Sequence, residues 1–111
     1  MERREIKFRV WNTIGREPKM IQLNTGMISD LDSNTNWKVM QYTGLKDKNG
    51  KEIYENDILR IKLNPKLIQN FKVVWNDGYR VIREDTFYYS LSQVSHESKI
   101  IGNTYENPEL I

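Results

Sequence analysis

The chain has 111 residues, no cysteine and a formal net charge of +2, with 29% of its side chains charged. That length fits one ordinary domain, or a small domain with an appended piece, and buries roughly 65% of the unfolded surface, enough for a core without covalent staples. The missing cysteines exclude disulfides, thiolate metal sites and thiol nucleophiles, and no apolar run approaches the roughly 18 residues of a membrane span.

From the N-terminus, "EIKFRVW" places Ile6, Phe8 and Val10 on one face of a strand and Lys7 and Arg9 on the other. "KMIQL" is a second strand, and Gly15 and Pro18 between the two predict a hairpin. "TGMISDLDSNTN" reads as loop with at most a short strand around Met27 and Ile28, and "WKVMQYT" as the next strand. "DILRIKL" alternates Leu59, Ile61 and Leu63 against Arg60 and Lys62. "FKVVW" and "YRVIR" flank Asn76–Asp77–Gly78, a strong hairpin signal. "DTFYYSLSQV" fits either a strand or a short turn of helix, and "KIIGNTY" closes as a strand interrupted by Gly102 and Asn103. No amphipathic helix of ordinary length and no repeat is legible. Short strands broken by turns predict a mainly β small barrel or sandwich.

The stretch "TGLKDKNGKEIYENDIL", Thr43 to Leu59, concentrates six acidic or amide side chains. A calcium loop of the EF-hand kind needs carboxylates at positions 1 and 12 with glycine at 6. Setting Gly50 at position 6 puts Leu45 and Asn56 at those anchors, so the register fails. Paired carboxylates, Glu52 with Glu55 or Glu55 with Asp57, would need a pocket that separates their pKa values, whereas Lys48, Asn49, Lys51 and Asn56 predict solvated acids. The remaining reading is scaffold. Asn49–Gly50 forms a two-residue turn with positive φ, Asn56 takes the left-handed region, and Asp57 accepts backbone N–H bonds.

Two long motifs, "QYTGLKDKNGKEIYENDIL" and "IIGNTYENPELI", with the opening "REIKFRVW", closely resemble the YopX family of phage and prophage proteins. The resemblance covers nearly the whole chain, with one departure: Asn56 stands where the family usually has glycine. It implies a mainly β fold, with an N-terminal β-hairpin element over residues 1–43 and a small SH3-type barrel over 44–111. It also implies phage or prophage origin and hence a bacterial host, whose reducing cytoplasm fits a chain without cysteine. It carries no established activity and therefore no catalytic residue.

Charge is unevenly distributed. Residues 60–83 hold six cations against Asp77 alone, and residues 84–111 hold Lys99 against five acids. The basic segment interleaves Phe71, Trp75 and Tyr79, so Arg60, Lys62, Lys72, Arg80 and Arg83 form a candidate face for an anionic partner such as nucleic acid. The plainer reading puts the charges on a solvated face and the rings in the core. Twelve aromatic residues exceed what one small core holds, so Trp75, Phe87, Tyr88 and Tyr89 are candidate interface residues, and self-association is the economical partner. His96, the lone histidine, sits among serines without an orienting constellation, and no glycine-rich phosphate loop occurs. The sequence predicts a non-enzymatic, homo-oligomerising interaction module without metal or cofactor, binding a phage or host protein; a nucleic-acid-binding accessory role is the alternative, and a membrane partner is not expected.

Overall fold

The structure, a computed structural model, describes residues 6–12, 18–23, 38–84 and 86–111, with the backbone alone at Phe87. The possible strand at Met27 and Ile28 lies outside them. Strand β1 (Phe8–Asn12) pairs antiparallel with β2 (Lys19–Leu23), Phe8 opposite Leu23, which is the hairpin expected from "FRVW" and "KMIQL". The other edge of β1 pairs with β3 (Lys38–Lys46), Phe8 opposite Gln41. A three-residue strand, β4 (Glu52–Tyr54), completes a sheet ordered β2-β1-β3-β4. Strand β4 falls where the sequence predicts only turn, because three residues are too few to show alternation.

The second sheet is built from β5 (Asp57–Asn64), β6 (Leu67–Trp75), β7 (Tyr79–Arg83), β8 (Thr86–Ser90) and β9 (Ser98–Asn103), in the order β8-β7-β6-β5-β9. The hairpin between β6 and β7 turns at Asp77 (φ 53) and Gly78 (φ 108), as the Asp-Gly pair predicts. The ambiguous "TFYYSLSQV" is strand and helix in succession. After β8 the chain makes one turn of helix, α1 (Leu91–Val94), and the Ser90 N–H donates to Gln93 Oε1 at 3.1 Å. A 3-10 turn, Ser95–Glu97, then leads into β9.

The fold is mainly β, with curled antiparallel sheets that form a half-barrel. Its core gathers Ile53, Leu59, Ile61, Phe71, Val73, Val81, Leu91 and Val94. Alternation explains the choice: Leu59, Ile61, Phe71, Val73 and Val81 share the inner face, and Leu45 from β3 and Ile100 from β9 pack against them. Each fully buried side chain of this size contributes about 1.5–3 kcal/mol. Strand β3 runs through residues 43 and 44, so one continuous strand serves both the N-terminal element and the half-barrel.

One seam is made by Asp47, at the turn between β3 and β4. Its Oδ1 accepts the N–H groups of Asn49 and Lys51, both at 2.9 Å, and its Oδ2 accepts the Ile100 N–H at 3.0 Å from across the half-barrel. Beside it the Lys48 N–H donates to the Ser98 carbonyl at 2.9 Å. The turn therefore ties the β3–β4 hairpin to strand β9. Its geometry differs from a two-residue loop. Gly50 alone has positive φ (80), and its N–H bonds the Asp47 carbonyl, so Asn49 stays in ordinary conformation.

A second tie comes from the C-terminal segment. The Thr104 N–H donates to the Asn56 carbonyl at 2.9 Å, and Tyr105 stacks on Trp11 of β1 with centroids 6.0 Å apart. Farther on, the Leu110 carbonyl accepts from Asn70 Nδ2 at 3.0 Å on β6. A Cβ on Gly102 would fall on the Asn107 amide, 2.7 Å from its Cγ, so glycine lets this strap lie flat. Among the described residues no helix is long and apolar enough to cross a membrane.

Candidate functional site: a cleft beside a buried ion pair

The bend "YENDI" sits where the two sheets meet. Asn56 takes φ 67, as its tolerance of the left-handed region predicts, and its N–H donates to the Val73 carbonyl at 2.9 Å. The bend turns Asp57 inward, where it is 1% exposed. One oxygen accepts the Tyr54 N–H at 2.8 Å, and the other receives Arg9 Nη2 at 2.7 Å. The Arg9 guanidinium also lies over the Tyr54 ring, 4.7 Å from its centroid, and Gln22 Nε2 donates to the Tyr54 hydroxyl at 2.7 Å. Alongside, Lys7 bridges Glu52 at 2.7 Å. Asp57 thus holds β1 through Arg9 and β4 through the Tyr54 N–H, and Gln22 of β2 joins them at the Tyr54 hydroxyl.

The electrostatics follow from burial. Desolvation pushes the Asp57 carboxyl above its ordinary value, and the Arg9 charge and the Tyr54 N–H only partly offset it. Burial likewise raises the Tyr54 and Tyr105 hydroxyls, Glu55 adding to the effect at Tyr105. Arg9 Nε is buried without a hydrogen-bond partner among the described residues. The expectation of solvated turn acids fails at Asp57, where the Tyr54 N–H and a buried arginine replace its water, and Asp47 is buried as well. Glu52 and Glu55 are half-buried. No group of three metal-ligating side chains exists among the described residues.

Above this joint opens a cleft of about 330 Å³, lined by Ile6, Gln41, Glu55, Trp75 and Tyr79. Backbone bonds fix its floor. The Gln41 N–H donates to Glu55 Oε1, and the Glu55 N–H returns a bond to the Gln41 carbonyl. Trp75 and Tyr79 stand opposite each other at the end of the β6–β7 hairpin, edge to face, with centroids 4.8 Å apart. Trp75 is 58% exposed, and Ile6 at the rim is 57% exposed.

The candidate interface aromatics fall in two places. Trp75 lines the cleft, while Tyr88 and Tyr89 lie on β8, the edge of the second sheet, and Phe87 is on the same strand. A register shift opposite Val81 and Ile82 makes Tyr88 an extra residue in β8, and its ring meets Phe71 at 5.2 Å while touching Tyr89 at 6.4 Å. Both tyrosines stay open, 46% and 38% exposed.

Of the candidate cations, Arg60, Lys62, Lys72 and Arg80 share the outer face of the second sheet, and Lys99 joins them opposite Arg60. Arg83 has the inner-face parity at the end of β7, with Nη1 at 3.4 Å from the Asn70 carbonyl. Phe71, Trp75 and Tyr79 point the other way: Phe71 is core, and the other two line the cleft. Charges and rings that alternate in sequence therefore separate onto opposite faces. His96 is exposed, with Nε2 at 3.8 Å from the Glu97 carboxylate.

No local signal in the sequence marks Arg9, Ile6 or Gln41 as site residues. Arg9 sits at a charged position of an alternating strand, and alternation alone assigns such a position to solvent; here the Asp57 carboxylate and the Tyr54 ring pack against it.

Comparison with known proteins agrees with this architecture. The family profile described as YopX protein matches residues 21–111. Among curated proteins none matches. Among solved structures, protein EF1440 from Enterococcus faecalis is similar over 96% of this chain and 97% of its own, with a TM-score of 0.61 and 24% identity. At that identity the likeness speaks for the fold.

Proposed function

The chain belongs to the YopX family, and from that membership we propose that it is a phage- or prophage-encoded binding module without catalytic activity, working in the host cytoplasm and pairing with a second copy of itself. The carrying observation is strand β8. It is the free edge of the five-stranded sheet among the described residues, its sequence "TFYYS" holds neither charge nor proline, and Tyr88 and Tyr89 stand exposed on it. Natural edge strands are commonly blunted by lysine or proline, and this one carries neither. Two such edges meeting antiparallel form a self-complementary, two-fold contact in which each copy covers the other's tyrosines. The half-barrel supplies a rigid frame for that contact.

Light scattering across a hundredfold concentration range tests the reading. The expected result is a dimer that Tyr88→Lys converts to monomer while the circular dichroism of the β fold persists. A strict monomer at every concentration overturns it.

One observation favours a second reading, an anionic partner: the register collects Arg60, Lys62, Lys72, Arg80 and Lys99 on one sheet face. The rings interleaved with those cations in the sequence, Phe71, Trp75 and Tyr79, lie off that face, and the Leu110 carbonyl is bonded to Asn70 within it. A phosphate-driven complex would form at low salt and weaken steeply as salt rises. Absence of binding to mixed DNA and RNA oligomers at low salt removes this alternative.

A further inference from the structure

We infer that the cleft between the first sheet and the β6–β7 hairpin receives a lysine or arginine side chain from an extended segment of a partner protein. The inference rests on the reading of the chain as a protein-binding module, but uses a surface separate from β8.

Three features select the occupant. The first is size. A cleft of about 330 Å³ is at the lower limit of ligand sites, enough for one long side chain and too small for a nucleotide or a folded element. The second is the wall. Trp75 is more than half exposed and braced edge-on by Tyr79, so it presents a ring face held in one orientation. Such a face attracts a guanidinium or ammonium, and with Ile6 it offers apolar surface to the methylene stem.

The third is charge. Glu55 is the one ionisable carboxylate of the lining among the described residues, and its position is set by the Gln41 N–H on Oε1 and by its own N–H to the Gln41 carbonyl. A carboxylate accepts several hydrogen bonds, so this single bond leaves capacity for a cation's N–H groups. Stem on Ile6 and Trp75, head group toward Glu55: the cleft is complementary to a long basic side chain and repels an acidic one. Arginine is favoured over lysine, because its planar head group both stacks and forks onto a carboxylate.

The β6–β7 hairpin explains the exposure of Trp75. Trp75 has the inner-face parity of Phe71 and Val73, yet it lies outside the packed core and is 58% exposed. A tryptophan exposed at a hairpin end contributes little to the fold. Its ring is placed where a partner can cover it.

The test titrates isotope-labelled protein with three blocked pentapeptides, glycine-rich and carrying a central arginine, lysine or citrulline. The expected result is saturable movement of the Trp75 indole and Tyr79 signals with the arginine and lysine peptides, and binding of the uncharged citrulline peptide weaker by about tenfold, the ratio that accompanies 1.4 kcal/mol. Glu55→Gln keeps the oxygen that accepts the Gln41 N–H, so the floor survives; it is expected to weaken the arginine peptide several-fold, and Trp75→Ala to abolish the effect. Equal binding of citrulline, indifference to Glu55→Gln, or no saturable shift overturns the inference. Light scattering on the same samples separates the two proposals. A monomer that binds the arginine peptide sinks the β8 pairing alone, and a dimer that ignores every peptide sinks the cleft alone.

Discussion

Asp47 and Asp57 lie ten residues apart in one motif, and each closes a seam, yet their surroundings solve the problem of a buried charge differently. Asp47 is surrounded by backbone: two N–H groups of its own turn and one from β9. Burial would raise its carboxyl, but those N–H bonds and the nearby Lys51 together hold it below the ordinary value. Asp57 instead faces a side-chain cation 48 residues earlier in the chain, and there burial prevails and the carboxyl is pushed up. Backbone donors are placed by the turn itself. The guanidinium arrives only when the first sheet docks. The Asp47 seam is therefore a local device that reports on one hairpin and one edge strand, while the Asp57 seam reports on whether the sheets have assembled.

The comparison breaks most visibly at Arg9. Arg9→Met leaves Asp57 buried and unpaired, and removing one partner of a buried pair costs about 3–5 kcal/mol, read from urea unfolding. The double variant Arg9→Met with Asp57→Asn keeps an oxygen for the Tyr54 N–H, and is expected to recover a large part of that loss. If single and double variants lose equally, the pair does not join the sheets.

Asp47→Asn comes next. It turns one acceptor oxygen into a donor, so one of three buried or half-buried N–H groups loses its partner, at a cost of about 1–3 kcal/mol. Amide exchange should quicken at Ile100 and Lys51 while the Arg9–Asp57 region stays protected. Equal acceleration in both regions would show that the seams are one unit.

Acidity sharpens the contrast, because the two carboxyls titrate on opposite sides of their ordinary value of 3.8. A depressed folded value means that Asp47 contributes stability above 3.8 and loses it as pH falls through its folded value, so the gap between wild type and Asp47→Asn narrows in that acid window. A raised folded value means the reverse for Asp57. Its contribution is full below 3.8 and is lost as pH rises through the folded value, so the gap to Asp57→Asn narrows with rising pH. Urea midpoints at half-unit pH steps check both signs.

The smallest effect belongs to the bend between the seams. Asn56→Gly relieves a non-glycine residue at φ 67 and loosens the unfolded chain, two changes that nearly cancel; stability is expected to stay within about 0.5 kcal/mol. A loss well beyond that would give the Asn56 side chain a role that its backbone bonds do not show.

Much of the architecture was readable in the chain because it rests on local rules. Alternation in "DILRIKL" and "FKVVW" selects the inner faces without reference to any partner strand, and the Asp-Gly turn and the left-handed Asn56 follow from φ preferences of single residues. The candidate site was less legible. Trp75 stood out by type, but Ile6, Gln41 and Glu55 come from three separate stretches and carry no local signature of a cleft. Likewise Arg9 reads as solvent-facing charge, and only the packing of Asp57 and the Tyr54 ring against it takes it out of water.

The sequence by itself determined where strands form, where they turn and which face of each is apolar, since those depend on side-chain geometry within a few residues. Only the tertiary structure decided which strands are neighbours, and with that the burial of Asp57 against Arg9, the open edge at β8 and the separation of cations from rings. Sheet order is set by contacts between residues far apart in the chain, whose energies no short window of sequence contains.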